Sequence, residues 1–125
     1  MEKKSLDQSS IQSHLYSLLV PEAILKSFDI TSVEEKEEDL FIFLTEKDCC
    51  LPSEPADLVQ NGYMNPLELN SFPIAGKRCF LNLTRRKWKI RGSSGSSSYT
   101  NQYDFALEGT KATKDFGSFL KEIGL

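Results

Sequence analysis

The sequence predicts an α+β domain: an N-terminal helix pair, an antiparallel sheet with a long basic hairpin, and a C-terminal amphipathic helix packed on the sheet. Two observations indicate this class: apolar residues recur at helical spacing near both ends of the chain, and strand-like apolar runs separated by turn residues fill its middle. A chain of 125 residues has the length of one domain, so residues 1–125 are expected to fold as a unit. Residues 1–8 are polar and are expected to be disordered.

Two short helices are predicted within residues 9–28. Ser9 or Ser10 can cap the first helix. Pro21 ends its pattern and suits the first position of a second helix, where the missing N–H costs nothing. The apolar stripe of the first helix consists of Ile11, Leu15, Leu18 and Leu19, and the residues of the second expected to pack inward are Ile24, Leu25 and Phe28.

Four strands are predicted between residues 30 and 72. Residues 30–37 and 39–44 flank a run of acidic residues, and strand, charged turn and strand together predict an antiparallel hairpin. Residues 45–56 contain two prolines and are predicted to form a loop. Weaker strands are expected at residues 57–63, with an irregularity at Gly62, and at residues 66–72.

The basic segment, residues 76–91, holds seven Lys and Arg residues and no acid. Cys79, Leu81 and Leu83 share one face at period two and are predicted to be core. A flexible Gly-Ser loop at 92–99 and a return strand at 99–107 would complete a long basic hairpin.

The C-terminal helix has clear boundaries. Thr113 can cap it and Gly124 can end it. Its apolar residues recur at i, i+3, i+4 and i+7 and are expected to pack on the sheet: Phe116, Phe119, Leu120 and Ile123.

No catalytic residue, metal ligand or cofactor site is predicted. His14 is the single histidine, and Cys49 and Cys50 are adjacent rather than spaced as a zinc-binding pair. An odd number of cysteines argues against a disulfide framework and favours a reducing, cytoplasmic location. No secretory signal is seen, and no apolar run is long enough to span a membrane, so no membrane partner is expected.

Charge is distributed unevenly along the chain. Residues 1–75 hold 14 acids and 5 bases, a balance of −9, whereas residues 76–125 hold 4 acids and 10 bases, a balance of +6. Such asymmetry favours a polyanion partner, here double-stranded DNA, although the two halves could equally neutralise each other on folding. The residues predicted to contact DNA are Lys77, Arg78, Arg85, Arg86, Lys87, Trp88, Lys89 and Arg91.

Two alternatives stay open for this segment. Lysine and arginine also protect edge strands from aggregation, and a charged strand can form a protein interface. Trp88 either stacks on a base or buttresses the strand, and its large apolar surface favours the buttress.

Several short motifs resemble the N-terminal region of a group of insertion-sequence transposases from Bacteroidetes. They are FPIAGK at 72–77, RRKW at 85–88, GTKAT at 109–113 and FLKEI at 119–123, and the resemblance covers about residues 15–123. In that group this region is often a separate reading frame that precedes the catalytic one. Larger related transposases place similar motifs in a zinc module with cysteine pairs on both sides, but here no cysteine follows Trp88.

The resemblance implies a non-catalytic module that recognises the DNA at the ends of a mobile element. Its partner would be a separately encoded catalytic transposase subunit. The alternative functions are a protein-interaction module that docks this subunit, and a relic of a decayed element.

Overall fold

The computed structural model describes residues 8–93 and 97–124 and confirms the α+β class. Residues 1–8 are predicted to be disordered: residues 1–7 lie outside the described residues, as does the middle of the predicted flexible loop, residues 94–96, whereas Gln8 begins the first helix. The elements are α1 (Gln8–Leu19), α2 (Glu22–Leu25), β1 (Phe28–Lys36), β2 (Asp39–Glu46), β3 (Leu58–Tyr63), β4 (Leu67–Ile74), β5 (Lys77–Thr84), β6 (Arg86–Ile90) and α3 (Lys114–Glu122).

The larger sheet has four strands in the order β1-β2-β5-β4. The predicted β1–β2 hairpin is confirmed, with a bulge between Ile30 and Ser32. The central pair, β2 and β5, is parallel, which differs from the all-antiparallel sheet that we expected. Parallel neighbours require a long crossover. Residues 47–76, which include β3 and β4, provide it before the chain returns beside β2.

The hydrophobic core lies on one face of this sheet. Burial alternates along β2, so Ile42 and Leu44 point into the core while Phe41 and Phe43 lie half-buried on the opposite face. The core prediction for β5 is confirmed. The core-facing residues of β5 are Cys79, Leu81 and Leu83, and the side chains from α2, its flanks and the later chain that cover this face include Val20, Ile24, Phe28, Tyr103 and Phe105.

The basic segment does not form one strand, and the prediction of a long basic hairpin is wrong. The chain turns at Arg85, so that β5 belongs to the large sheet while β6 pairs with β3 in a separate two-stranded sheet, the β3–β6 ribbon. Residues 99–107 make only isolated bridges, at Tyr99 and Ala106. The side chains of Tyr103 and Phe105 instead pack on the core, and the rings of Tyr103 and Phe28 lie 5.1 Å apart edge to face.

The C-terminal helix has the predicted boundaries but packs at the edge of the sheet. The backbone N–H of Phe116 donates to Thr113 Oγ1 at 3.4 Å, and Gly124 ends the helix with a φ of +81°. The ring of Phe72, on edge strand β4, contacts Phe116 and Phe119 at 5.1 and 5.5 Å between centroids. Within residues 8–93 and 97–124, no helix is long and apolar enough to cross a membrane.

Candidate nucleic-acid interface

The eight residues predicted to contact DNA do not form one continuous surface. The turn at Arg85 moves the chain from the large sheet to the β3–β6 ribbon, and the set separates into three groups. Two residues open β5, three lie at and after the turn within the folded body, and three form one side of the ribbon. Each group has different partners, and these partners decide which cations are free for a ligand.

The first group contacts the turn between β1 and β2 and the first residue of β2. Lys77 Nζ donates to the carbonyl oxygen of Glu37 at 2.7 Å. Arg78 donates from Nε and Nη2 to the two carboxylate oxygens of Asp39, at 2.7 and 3.0 Å. The hydrogen bond to Asp39 and its negative charge raise the pKa of Arg78. A phosphate would therefore have to displace existing partners here.

Arg85 and Trp88 are buried, at 8% and 5% exposure. Arg85 Nη1 donates to the carbonyl oxygen of Asn101 at 3.1 Å and to Gln102 Oε1 at 3.4 Å. The backbone of Trp88 forms a two-bond bridge with Tyr99, at 2.8 and 2.9 Å. Because both side chains lie inside the fold, the geometry favours the buttress interpretation of Trp88 and gives Arg85 the same kind of role.

Arg86 connects the ribbon to the end of β2. Its backbone N–H donates to Glu46 Oε1 at 2.9 Å, and its Nε donates to the carbonyl oxygen of Glu46 at 2.7 Å. Nη1 donates to Gln60 Oε1, and the guanidinium lies 5.6 Å from the ring centre of Tyr63. These contacts join both strands of the ribbon to the end of β2.

The Glu46 cluster consists of Glu46, Arg86, Asn101 and Tyr103. Glu46 has no exposed surface, and its Oε2 accepts hydrogen bonds from Asn101 Nδ2 at 3.0 Å and from the Tyr103 hydroxyl. Burial, with help from the hydrogen bond to Glu46, raises the pKa of the Tyr103 phenol well above its usual value. The buried carboxylate accepts three hydrogen bonds and so connects the end of β2 to β6 and to the later chain. We therefore assign this cluster a structural role.

The lysine face of the ribbon consists of Lys87, Lys89 and Arg91. It lies opposite Trp88, because side chains alternate along β6. The side chains of Lys87 and Lys89 make no hydrogen bond or ion pair among the described residues. Arg91 Nε donates to Asp57 Oδ1 at 3.0 Å, but both side chains are about two-thirds exposed, at 66% and 63%. An ion pair this exposed contributes roughly 0–1 kcal/mol, so a phosphate can replace Asp57 at little cost.

The cysteines do not approach other ligands. Among residues 8–93 and 97–124, no three His, Cys, Asp or Glu side chains lie together in a way that could hold a metal ion. Cys49 is exposed, Cys50 Sγ lies 3.8 Å from the carbonyl oxygen of Ser27, and Cys79 is buried in the core. Burial raises the pKa of the Cys79 thiol to about 11.

Sequence reasoning missed two features. Glu46 lies two residues after Leu44 and therefore on the same inward face of β2 as Ile42 and Leu44. The alternation along this strand could have predicted its burial. Helix α1 turns its apolar stripe to solvent, and the sequence clue to this was the uncharged run at residues 8–20.

Comparison of the chain with protein-family models, with curated proteins and with solved structures finds no match. The resemblance to transposase N-terminal regions therefore stays a prediction. Function has to be inferred from the geometry of the lysine face and from the surfaces that the fold leaves uncovered.

Proposed function

We propose that the chain is a non-catalytic DNA-binding module that contacts the phosphate backbone through the lysine face of the β3–β6 ribbon. One observation carries this proposal: Lys87 and Lys89 lie half-buried on the same face of the ribbon, and their side chains have no acidic partner among the described residues. The three free cysteines fit the reducing, cytoplasmic compartment in which such a protein would work.

The ribbon has a suitable shape for a duplex. A two-stranded antiparallel ribbon is narrow enough to enter the major groove. Lys87 and Lys89 are two residues apart on one strand, which separates their Cα atoms by about 7 Å, or about two base-pair steps. The stem of Lys87 lies over Gly62 of β3, where an added Cβ would come within 3.8 Å of Lys87 Cε. The stem of Lys87 therefore packs across both strands of the ribbon.

The proposed interface contains three cations, whereas the basic segment contains seven. The salt dependence of DNA binding distinguishes the two. Each phosphate neutralised on B-DNA contributes about −0.9 to the slope of log K against log salt. Three contacts give a slope of about −2.7, whereas the seven cations of the basic segment would give about −6. Raising salt from 50 to 200 mM should therefore weaken binding about 40-fold rather than several thousand-fold.

Fluorescence anisotropy with labelled duplex DNA, including DNA from mobile-element ends, tests the proposal. In Lys87→Gln/Lys89→Gln, the salt slope should fall to about −0.9, because only Arg91 remains. Lys77→Gln/Arg78→Gln is the matched control. It also removes two positive charges, but from residues outside the lysine face, so it should keep the wild-type salt slope. Circular dichroism confirms that each variant is folded.

Two outcomes would reject DNA binding by the lysine face. The first is a folded wild-type protein that does not bind duplex DNA at 50 mM salt. The second is an equal loss of affinity in the two paired variants, which would indicate a response to net charge alone.

A second candidate is a protein-interaction module that docks a separately encoded catalytic subunit. The observation that favours it is exposed apolar surface at the sheet edge, where Phe72, Phe119 and Ile123 are 41%, 43% and 54% exposed. A purified catalytic subunit should then bind this chain after nuclease treatment. The Lys87→Gln/Lys89→Gln variant of the chain should bind it equally well. Loss of binding on nuclease treatment would leave DNA as the link between the two proteins.

A further inference from the structure

Helix α1 presents its apolar side to solvent. Ile11, Leu15 and Leu18 occur at i, i+4 and i+7, and they are 38%, 54% and 67% exposed. Tyr16 and Leu19, which flank the stripe, are half-buried, and Val20, which follows the end of the helix, is only 4% exposed. A helix on a protein surface normally has the reverse orientation, with its apolar stripe facing the core. The orientation of α1 therefore indicates a surface that a partner covers.

The exposed stripe continues across a notch to α3. Leu18 and Phe72 both line this open notch of about 460 Å³, which separates the end of α1 from β4. The ring of Phe72 packs on Phe119, so apolar surface extends from the helix to the sheet edge. The apolar patch, as defined by these exposed side chains, comprises Ile11, Leu15, Leu18, Phe72, Phe119 and Ile123.

The size of the apolar patch is close to that of a protein interface. Six side chains that each expose roughly 100 Å² amount to about 600 Å², and a standard interface buries about 800 Å² on each partner. The largest apolar patch of a typical monomer is about 300–600 Å². The apolar patch therefore lies at the upper end of the range for monomers, and polar atoms around it would have to supply the remaining area of an interface.

We propose that the patch binds a second copy of this chain, and that the two α1 helices pack antiparallel about a two-fold axis. The first argument is charge. Residues 8–20 contain no Asp, Glu, Lys or Arg, although 26% of the chain is charged and its net charge is −3. Two identical acidic chains repel each other, and an uncharged contact helix brings no like charges together at the interface.

The second argument is the symmetry of the stripe. A two-fold interface requires each contact between two residues to occur twice, with the copies exchanged. Ile11 lies four residues before Leu15 and Leu18 lies three residues after it, so Leu15 is near the centre of the stripe. In an antiparallel pair, Leu15 meets Leu15, while Ile11 of each copy meets Leu18 of the other and reaches towards its notch.

Sedimentation velocity of the full chain tests this at concentrations up to about 0.1 mM. The wild type should sediment as a dimer with twice the monomer mass of 14.1 kDa. Leu15→Glu should be monomeric at the same concentrations, because it places two carboxylates together at the axis. Ser118→Glu is the control for net charge: Ser118 is exposed on α3 and outside the apolar patch, so this variant should remain dimeric.

Cysteine cross-linking tests the antiparallel geometry in a Cys49→Ser/Cys50→Ser background. Leu15→Cys should form a disulfide-linked dimer by itself. Ile11→Cys and Leu18→Cys should cross-link when mixed, but not separately. A monomeric wild type, a dimeric Leu15→Glu variant, or self-linking of Ile11→Cys would overturn the proposal. None of these results depends on whether the ribbon binds DNA.

Discussion

Replacing Glu46 with alanine is expected to lower the free energy of unfolding by about 3 kcal/mol. The carboxylate is completely buried and accepts hydrogen bonds from the backbone N–H of Arg86, the amide of Asn101 and the hydroxyl of Tyr103. Alanine removes all three acceptor contacts. Asn101 keeps the carbonyl oxygen of Cys50 as a partner at 2.6 Å, so two donors lose their partners.

The magnitude follows from the cost of those two donors. A buried donor without a partner costs about 1–3 kcal/mol, and the space left by the side chain adds to this. Removing a buried charge returns part of the cost, since the carboxylate no longer has to be desolvated on folding. Two donors at this cost give about 2–6 kcal/mol. Tyr103 is half-buried and can recover some hydrogen bonding to water, so we expect a loss in the lower half of that range, about 3 kcal/mol.

Urea denaturation, monitored by the fluorescence of Trp88, measures the effect. Trp88 is the single tryptophan and is 5% exposed, so its emission should shift strongly on unfolding. Tyr103→Phe should cost about 1 kcal/mol. The double variant with Glu46→Ala should be less destabilised than the sum of the two single variants, by about 1 kcal/mol, because both changes remove the same hydrogen bond.

Glu35→Ala is the control, since Glu35 is an exposed acid on the neighbouring strand β1. Its free energy of unfolding should stay within about 0.5 kcal/mol of the wild type. A loss of less than about 1 kcal/mol in Glu46→Ala would refute the structural role that we assign to the Glu46 cluster.

Two further predictions concern packing and pH. Gly117→Ala should destabilise the protein by about 1–3 kcal/mol despite the helix propensity of alanine, because the added Cβ would lie 2.8 Å from Leu107 Cδ2. Thermal unfolding measures this loss. The control variant Ser118→Ala should have nearly the same stability as the wild type. Burial raises the pKa of the Cys79 thiol from its ordinary value of 9.0 to about 11 in the fold, so its contribution to stability is complete below about pH 9 and is lost as the pH rises towards 11. Urea titrations at several pH values should therefore show a smaller loss of stability over this range in Cys79→Ala than in the wild type. Equal losses in the two proteins would contradict this assignment.

Local patterns predicted the elements that depend on nearby residues. The acidic turn and its flanking apolar runs predicted the β1–β2 hairpin, and Thr113 with Gly124 predicted the ends of α3. These features depend on periodicity and capping within a few residues, which can be recognised without knowing the fold. The parallel pairing of β2 with β5 could not be predicted in this way, since it depends on where the chain goes over the intervening residues 47–76.

The same distinction explains the basic segment. The sequence established that seven cations lie within residues 76–91 and that one face of the strand belongs to the core. The fold decided which of these cations are free, because their partners come from distant parts of the chain. Arg78 pairs with Asp39, which is 39 residues away, and Arg86 bonds to Glu46, which is 40 residues away. A charge is fixed by residue type, whereas its neutralisation depends on long-range contacts that form only when the chain folds.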